Sequence, residues 1–216
     1  MRKLLQTGAF LLLTLALFTC GKKREVKEVF YPGTKNLAEK YEYYLDKNGN
    51  EVKEGKCSLF DDKGIKTADG HYKKGMRSGK WTKYGKGTQI ESTFSYVNDS
   101  LHGKYEAYYL SGEKKNVTHY THGKRNGQYT NYFKNGNKQS QVSFVEGKRE
   151  GIQKKWNKEG TLLTETTYKN GVRNGIFKSY FPNGKLKESG YYKLNKPDSL
   201  WQVYDEKGEI ISSQKR

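Results

Sequence analysis

Glycine and aromatic positions recur along this chain with a period of 24 residues. A leading glycine opens each repeat and defines its position 0. Aromatic rings follow it at position 5 and again at position 17. A period of this length predicts stacked structural units, each of which buries its apolar face against its neighbours. Position 0 is Gly55, Gly79, Gly103, Gly127, Gly151 and Gly175, then Ser199; position 5 is Phe60, Tyr84, Tyr108, Tyr132, Trp156, Tyr180 and Tyr204.

The repeat from Gly127 to Glu150 shows the elements that each unit is expected to form. Residues 128–134 are a short stretch of aromatic and polar residues, and Asn135-Gly136 is a typical hairpin turn. By alternation along residues 137–145, Lys138, Ser140, Val142 and Phe144 share one face, and residues 147–151 form a loop with glycine at both ends. The pattern predicts strand, tight turn, strand and loop. The fold class is therefore all-β, an elongated antiparallel meander of hairpins with no helix in the mature chain.

Two ring positions in the first strand of each repeat conflict with a flat strand. Tyr129 at position 2 and Tyr132 at position 5 have opposite parity, so simple alternation places them on opposite faces. Either a β-bulge corrects the register, or the sheet is a thin layer with rings on both faces. We also expect the position-5 rings to stabilise the fold through contacts between neighbouring repeats.

The N-terminus has the pattern of an export signal. Arg2 and Lys3 precede an apolar run that is too short to span a bilayer, and the run ends at Cys20. Residues 17–20 resemble a bacterial lipobox, which implies a signal peptide over 1–19 and a lipid on Cys20; a plain cleavable signal is the alternative. By the same resemblance, Gly21 favours the outer membrane. We assign 20–40 to a tether, 41–54 to a capping hairpin, and 55–216 to about seven repeats, the last incomplete.

Composition alone favours disorder, because hydrophobicity is low and the formal net charge is +18. The regular placement of 18 tyrosines argues against disorder. Removing residues 1–19 takes away the charges of Arg2 and Lys3 and leaves +16, which suits anionic partners without selecting one. Cys57 stands in an aromatic column, where a small buried residue is a simpler interpretation than a reactive thiol.

The side chains that catalysis needs do not recur together. His119 and His122 are three apart on a predicted strand, so they point to opposite faces and do not predict a metal site. The glycines lead into strands, unlike those of a phosphate-binding loop. We therefore expect no enzymatic activity, no cofactor, no metal and no small-molecule substrate.

Positive charge recurs at position 22, where four of the six residues are arginines. In one interpretation they form a ladder that binds phosphates or carboxylates. In the other, each guanidinium stacks on a ring of the neighbouring repeat as a structural cation–π contact. The four candidates are Arg77, Arg125, Arg149 and Arg173.

The glycine, ring and arginine spacing resembles MORN repeats, particularly the bacterial MORN-variant family, over residues 55–216. The resemblance implies an elongated sheet of hairpins used to bind partners or membranes, and some bacterial members are described as antitoxins. Two functions follow as expectations. The first is a lipid-anchored scaffold of the cell envelope that binds a protein partner or an anionic surface, with nucleic acid not expected. The second is an antitoxin-type regulator that neutralises a partner by direct binding.

Overall fold

The computed structural model describes residues 23–215, all in one antiparallel β-sheet and its turns. The predicted signal peptide and Cys20 lie outside the described residues. Within residues 23–215 there is one 3-10 turn, Lys86–Thr88, and no helix long and apolar enough to cross a membrane. The strands are β1 (Glu25–Phe30), β2 (Leu37–Leu45), β3 (Glu51–Phe60), β4 (Lys66–Lys73), β5 (Met76–Tyr84), β6 (Ile90–Val97), β7 (Ser100–Leu101), β8 (Gly103–Tyr108), β9 (Lys114–Thr121), β10 (Lys124–Arg125), β11 (Gly127–Tyr132), β12 (Lys138–Val145), β13 (Lys148–Trp156), β14 (Leu162–Lys169), β15 (Val172–Tyr180), β16 (Leu186–Lys193), β17 (Lys196–Tyr204) and β18 (Ile210–Lys215).

Each strand pairs with its neighbours in sequence, so the sheet is a simple meander. β13 pairs with β12 and β14, for example, and β15 pairs with β14 and β16. The short strands β7 and β8 both pair with β6, and β10 and β11 both pair with β9, so each of these couples is one interrupted strand. The predicted all-β hairpin repeat is confirmed.

The N-terminal part of the chain differs from the predicted tether over 20–40. Glu25–Phe30 forms β1, which pairs antiparallel with β2. The hairpin that we placed at 41–54 is wider, because its two strands run from Leu37 to Phe60. β1 is an edge strand, in which Val26, Lys27 and Glu28 pair with residues of β2. The 24-residue pattern does not extend into this segment, so the pattern could not predict the strand.

The two kinds of turn are exchanged relative to the prediction. Asn135-Gly136 lies in a longer loop, in which the Phe133 N–H donates to the Asn137 carbonyl at 2.8 Å. The tight turn is instead Glu146-Gly147, whose φ values of +49° and +83° are those of a two-residue type I′ hairpin. The predicted loop over 147–151 is mostly the start of β13. A turn of two residues with positive φ matches the twist of the flanking strands.

A β-bulge lies at the leading glycine of the repeats. In the β12–β13 pair, Gln141 faces Lys154 and Ser143 faces Glu150, so Val142 stands opposite the segment that contains Gly151. Gly151 has a φ of +80°, which explains why glycine recurs at position 0. The bulges do not bring positions 2 and 5 to one face, however. The second of the two alternatives is therefore correct: the sheet is a thin layer with rings on both faces, and its bulges do not correct the register.

The core is a thin row of side chains on one face of the sheet. Its best buried part packs Tyr41, Tyr43, Cys57 and Trp81 together. Elsewhere the buried apolar side chains are single residues, among them Val142, Phe144 and Trp201. The position-5 rings are only half-buried. The fold therefore depends less on position 5, and more on positions 2, 15 and 17, than we expected.

Candidate binding surface

The sheet has two chemically different faces. The ring face contains positions 2, 15 and 17, such as Trp81, Phe94 and Tyr96. The polar face contains positions 1, 3, 5, 14 and 16, such as Asp69 and Tyr84. The assignment follows from alternation along the strands, and it agrees with the contacts, since the Tyr84 hydroxyl donates to Asp69 at 2.8 Å.

Aromatic contacts join neighbouring repeats toward both ends of the ring face. The Trp81 ring on β5 contacts Tyr72 on the preceding strand, at 5.6 Å between ring centroids, and Tyr96 on the following strand, at 5.9 Å. At the other end of the sheet, Trp201 stacks on Phe177 at 5.5 Å and meets Tyr192 edge-on at 5.3 Å. Edge-to-face and offset pairs at these distances stabilise each repeat against the next.

Two tryptophans on this face lie directly over glycines. A Cβ added to Gly70 would clash with the Trp81 ring, and one added to Gly190 would clash with the Trp201 ring. Neither glycine has a positive φ, so space rather than backbone conformation requires them. Position 15 is glycine only where the following position 2 is tryptophan, so the two columns are correlated in the sequence.

The polar face holds a repeated set of hydrogen bonds between position 5 and position 14. The Tyr180 hydroxyl donates to Glu165 at 2.8 Å, as Tyr84 does to Asp69. The Lys154 ammonium, 2.9 Å from Glu165, lowers the pKa of that carboxyl. Burial, together with the hydrogen bond to Glu165, raises the pKa of Tyr180 to about 12. These bonds link consecutive hairpins on the half-exposed side of the sheet.

The arginines at position 22 lie over rings of the next repeat. Arg77 stands 4.2 Å from the Tyr96 ring centroid and Arg173 stands 4.1 Å from that of Tyr192. Arg125 lies 5.4 Å from the Phe144 ring and Arg149 lies 5.3 Å from the Tyr168 ring. This geometry is the one expected if each guanidinium stacks on a ring of the neighbouring repeat and stabilises the fold. Anion binding by the same guanidinium groups stays a prediction.

The tight turns connect neighbouring repeats through the same column. The Gly171 N–H donates to the Arg149 carbonyl at 2.8 Å, and the Asn195 N–H donates to the Arg173 carbonyl at 2.9 Å. Where glycine is replaced in this turn column, Asp99 and Asn195 adopt positive φ and accept hydrogen bonds from Arg77 and Arg173. Acidic and amide side chains tolerate this conformation better than most.

The other predicted residues occupy structural positions. Gly79, Gly103, Gly127, Gly151 and Gly175 all have positive φ. Burial raises the pKa of the Cys57 thiol to about 12, next to Glu39, so this thiol is a buried core group. Among the described residues no three His, Cys, Asp or Glu side chains come together as a metal site.

An open groove of about 590 Å³ lies beside the longer loops, with Phe133 and Trp156 in its wall.

Three consecutive segments of the chain match the family model described as the MORN repeat variant: residues 125–146, 149–170 and 173–194. Each segment begins at an arginine of position 22. The segments cover less than half of the chain, and they identify the central units as MORN-variant repeats.

The chain also aligns with solved structures, and one of these follows. A crystal structure of a protein with unknown function from Bacteroides fragilis NCTC 9343 aligns with 91% of this chain and 94% of its own, at 11% identity and a TM-score of 0.13. A TM-score of this size supports no argument about fold or function. No curated protein matches the chain.

Proposed function

We propose that this protein is a non-catalytic interaction scaffold of the bacterial cell envelope, held at the membrane by a lipid on Cys20. The observation that supports binding is the sheet itself. Ring contacts, turn bonds and tyrosine–carboxylate bonds hold the repeats together, and the half-exposed polar face presents side chains at regular spacing. MORN-variant repeats favour the same conclusion at the level of a repeat-based binding scaffold.

The charge of the chain restricts the kind of partner. Lysine and arginine total 41 against 23 acidic residues, so the surface attracts acidic proteins or anionic envelope components. Between these, a protein partner suits the regular, half-polar face best, because a regular array of strands offers fixed distances between side chains. The lipid anchor would hold this face at a defined distance from the membrane.

Substitution of the proposed lipidated cysteine tests the anchor. Cys20→Ala should release the protein from the membrane fraction or leave the precursor uncut, and it should abolish incorporation of labelled palmitate. Cys57→Ala is the matched control, because Cys57 is buried in the sheet and should not affect fractionation. Unchanged size, labelling and fractionation of the Cys20 variant would contradict the anchor and would favour a soluble antitoxin-type regulator instead.

Partner capture tests the scaffold. The mature protein, immobilised through its C-terminus, should retain a protein from its own envelope extract, and added salt should weaken retention if acidic groups on the partner contribute. Capture only from a cytoplasmic extract would favour the antitoxin-type alternative. Turnover of a substrate by the purified protein would contradict both.

A further inference from the structure

Position 1 of the repeats forms one exposed row across the polar face. Residues at this position directly follow the leading glycine, and their side chains stand on the solvent side of the sheet. In order along the sheet they are Lys56, Lys80, Lys104, Gln128, Ile152, Ile176 and Leu200, and all seven are exposed. We call them the position-1 row.

The composition of the row changes halfway along. Its first three residues are lysines, and the position-16 residues that pair with them across the strands, His71, Ser95 and His119, include no acid. Its last three residues are apolar, and Tyr191, 39% exposed, stands between the last two. The row is therefore basic at one end and apolar at the other.

Packing does not explain the apolar half. Ile152 is 54% exposed, Ile176 is 56% exposed and Leu200 is 51% exposed, although each lies near the middle of a strand. Lysine occupies the equivalent position in earlier repeats with the same backbone, so the fold does not need an apolar side chain here. Contiguous exposed apolar residues beside charged ones mark an interaction site.

Two of the three lysines in the basic half have no ion pair within residues 23–215. Lys104 pairs with Glu106 at 2.9 Å, whereas no ion pair of Lys56 or Lys80 is found among the described residues. Strands about 4.8 Å apart place successive lysines ~10 Å from one another, since each repeat contributes two strands. In a polyproline II segment, which has three residues per turn and rises ~3.1 Å per residue, carboxylates on every third residue lie on one side with nearly the same spacing.

We propose that the position-1 row binds an extended polypeptide segment that is acidic at one end and apolar at the other. The segment would lie across the strands, with its carboxylates at Lys56, Lys80 and Lys104 and its apolar side chains over Ile152, Ile176 and Leu200. A row of six repeat intervals is ~58 Å long, which an extended segment of ~18 residues covers. This inference rests on the proposed scaffold function and specifies the chemistry of its partner.

Synthetic peptides test the inference directly. The probe is a fluorescent peptide of ~18 residues with glutamate at every third position of one half and leucine or valine in the other half; it is made in both block orders. Two further peptides contain only the acidic half or only the apolar half. Fluorescence anisotropy with the mature protein should show that one two-part peptide binds more tightly than either half.

Variants of each half of the row should weaken this binding at least about fivefold, as expected from losing two ion pairs or two apolar contacts. The basic pair is Lys56→Glu with Lys80→Glu, and its charge-matched control is Lys47→Glu with Lys63→Glu, in exposed turns. The apolar pair is Ile152→Thr with Ile176→Thr, and its control is Leu110→Thr with Ile65→Thr, at exposed loop positions. Added salt should weaken binding of the peptide that contains only the acidic half, and it should not weaken binding of the peptide that contains only the apolar half.

Two results would overturn the proposal. In the first, the row variants bind the two-part peptide as well as the controls do. In the second, no peptide binds, while vesicles of phosphatidylglycerol bind and the row variants abolish that binding, which would make the row a membrane surface. After either result, the proposed scaffold function still holds if the protein captures a partner from the envelope extract. If no extract yields a partner, the proposed function itself fails.

Discussion

At the scale of single residues, the ring face depends on fitted pairs of large and small side chains. Trp81 lies over Gly70 and Trp201 lies over Gly190, whereas Thr166 in the same column as these glycines precedes Phe177, a smaller ring. A buried interior has no spare volume, so a change at one member of a pair must be matched at the other.

Enlarging Gly190 should destabilise the protein. Gly190→Thr places its side chain against the Trp201 ring, and overpacking of this kind costs about 1–3 kcal/mol. Adding Trp201→Phe recreates the Thr166–Phe177 pair found one repeat earlier. The double variant should lose less stability than the two single changes together, by ~0.5 kcal/mol or more in urea unfolding. Strict additivity would show that the two residues do not compete for space.

The arginine column allows a second test at this scale. Replacing Arg125, Arg149 and Arg173 together by lysine keeps the charge but removes the planar group that stacks on a ring. Stability should fall by ~0.5–1 kcal/mol per contact, measured by thermal unfolding, while binding to polyanions is retained. In the corresponding glutamine variant, unchanged stability with lost, salt-sensitive binding would instead favour the arginines as a binding ladder.

At the scale of elements, each repeat alternates a loop with a two-residue turn. The turn needs positive φ at both residues, which glycine and asparagine adopt at little cost and branched apolar residues do not. Leu194, with a φ of +49°, is the least suited residue in its column. It is 67% exposed, so no contact compensates for its conformation.

Replacing Leu194 by asparagine should therefore stabilise the protein. The expected gain is ~0.5–1 kcal/mol in urea unfolding, because asparagine tolerates the left-handed region. Leu110→Asn is the control, since Leu110 is equally exposed, at 69%, but does not have positive φ. A similar gain in both variants would mean that lower surface hydrophobicity, rather than the turn, is responsible.

At the scale of the whole molecule, the sheet is a row of nearest-neighbour contacts. Some ring pairs, such as Tyr72–Trp81 and Phe177–Trp201, the tyrosine–carboxylate bonds and the turn bonds join a repeat to the next one. Stability in such an array is a sum of local terms, and damage spreads outward from its site.

Trp201→Ala tests this locality. Removing a buried tryptophan costs about 3–5 kcal/mol, and the loss should fall on the C-terminal units. Hydrogen exchange should accelerate in β15 to β18 far more than in β2 to β5, and Trp81→Ala should show the reverse pattern. Equal acceleration over the whole sheet in both variants would indicate one cooperative unit.

Alkaline pH should destabilise the whole sheet. Burial raises the pKa of Tyr41, Tyr72 and Tyr180 to about 12, against 10.0 for a free tyrosine. Below pH 10 the neutral hydroxyls contribute their full stability. Between pH 10 and 12 the unfolded chain loses these protons first, so the free energy of unfolding should fall as pH rises. Tyr180→Phe removes one such hydroxyl and should make the fall in urea unfolding shallower.

The 24-residue period was sufficient to predict the fold, but it did not predict which side chains pack against each other or form the exposed row. Repeating glycines and rings predicted the hairpins, and the position-0 glycines occupy bulges with positive φ. The exchange of turn types was missed because Asn135-Gly136 is a stronger local hairpin signal than Glu146-Gly147. Gly190 and the position-1 row were missed because their meaning depends on which residues face each other across strands, which only the register shows.

The strictly sequential pairing of the strands has a consequence for how the gene can gain or lose repeats. Because β11 and β12 contact only the hairpins before and after them, loss of the 24 codons for residues 127–150 would join Asn126 to Gly151 and restore every column. Gain of one unit by duplication is equally tolerable. The span of the sheet can therefore lengthen or shorten by ~10 Å per event while every column stays in register, which makes the length of the sheet the property that such mutations alter most freely.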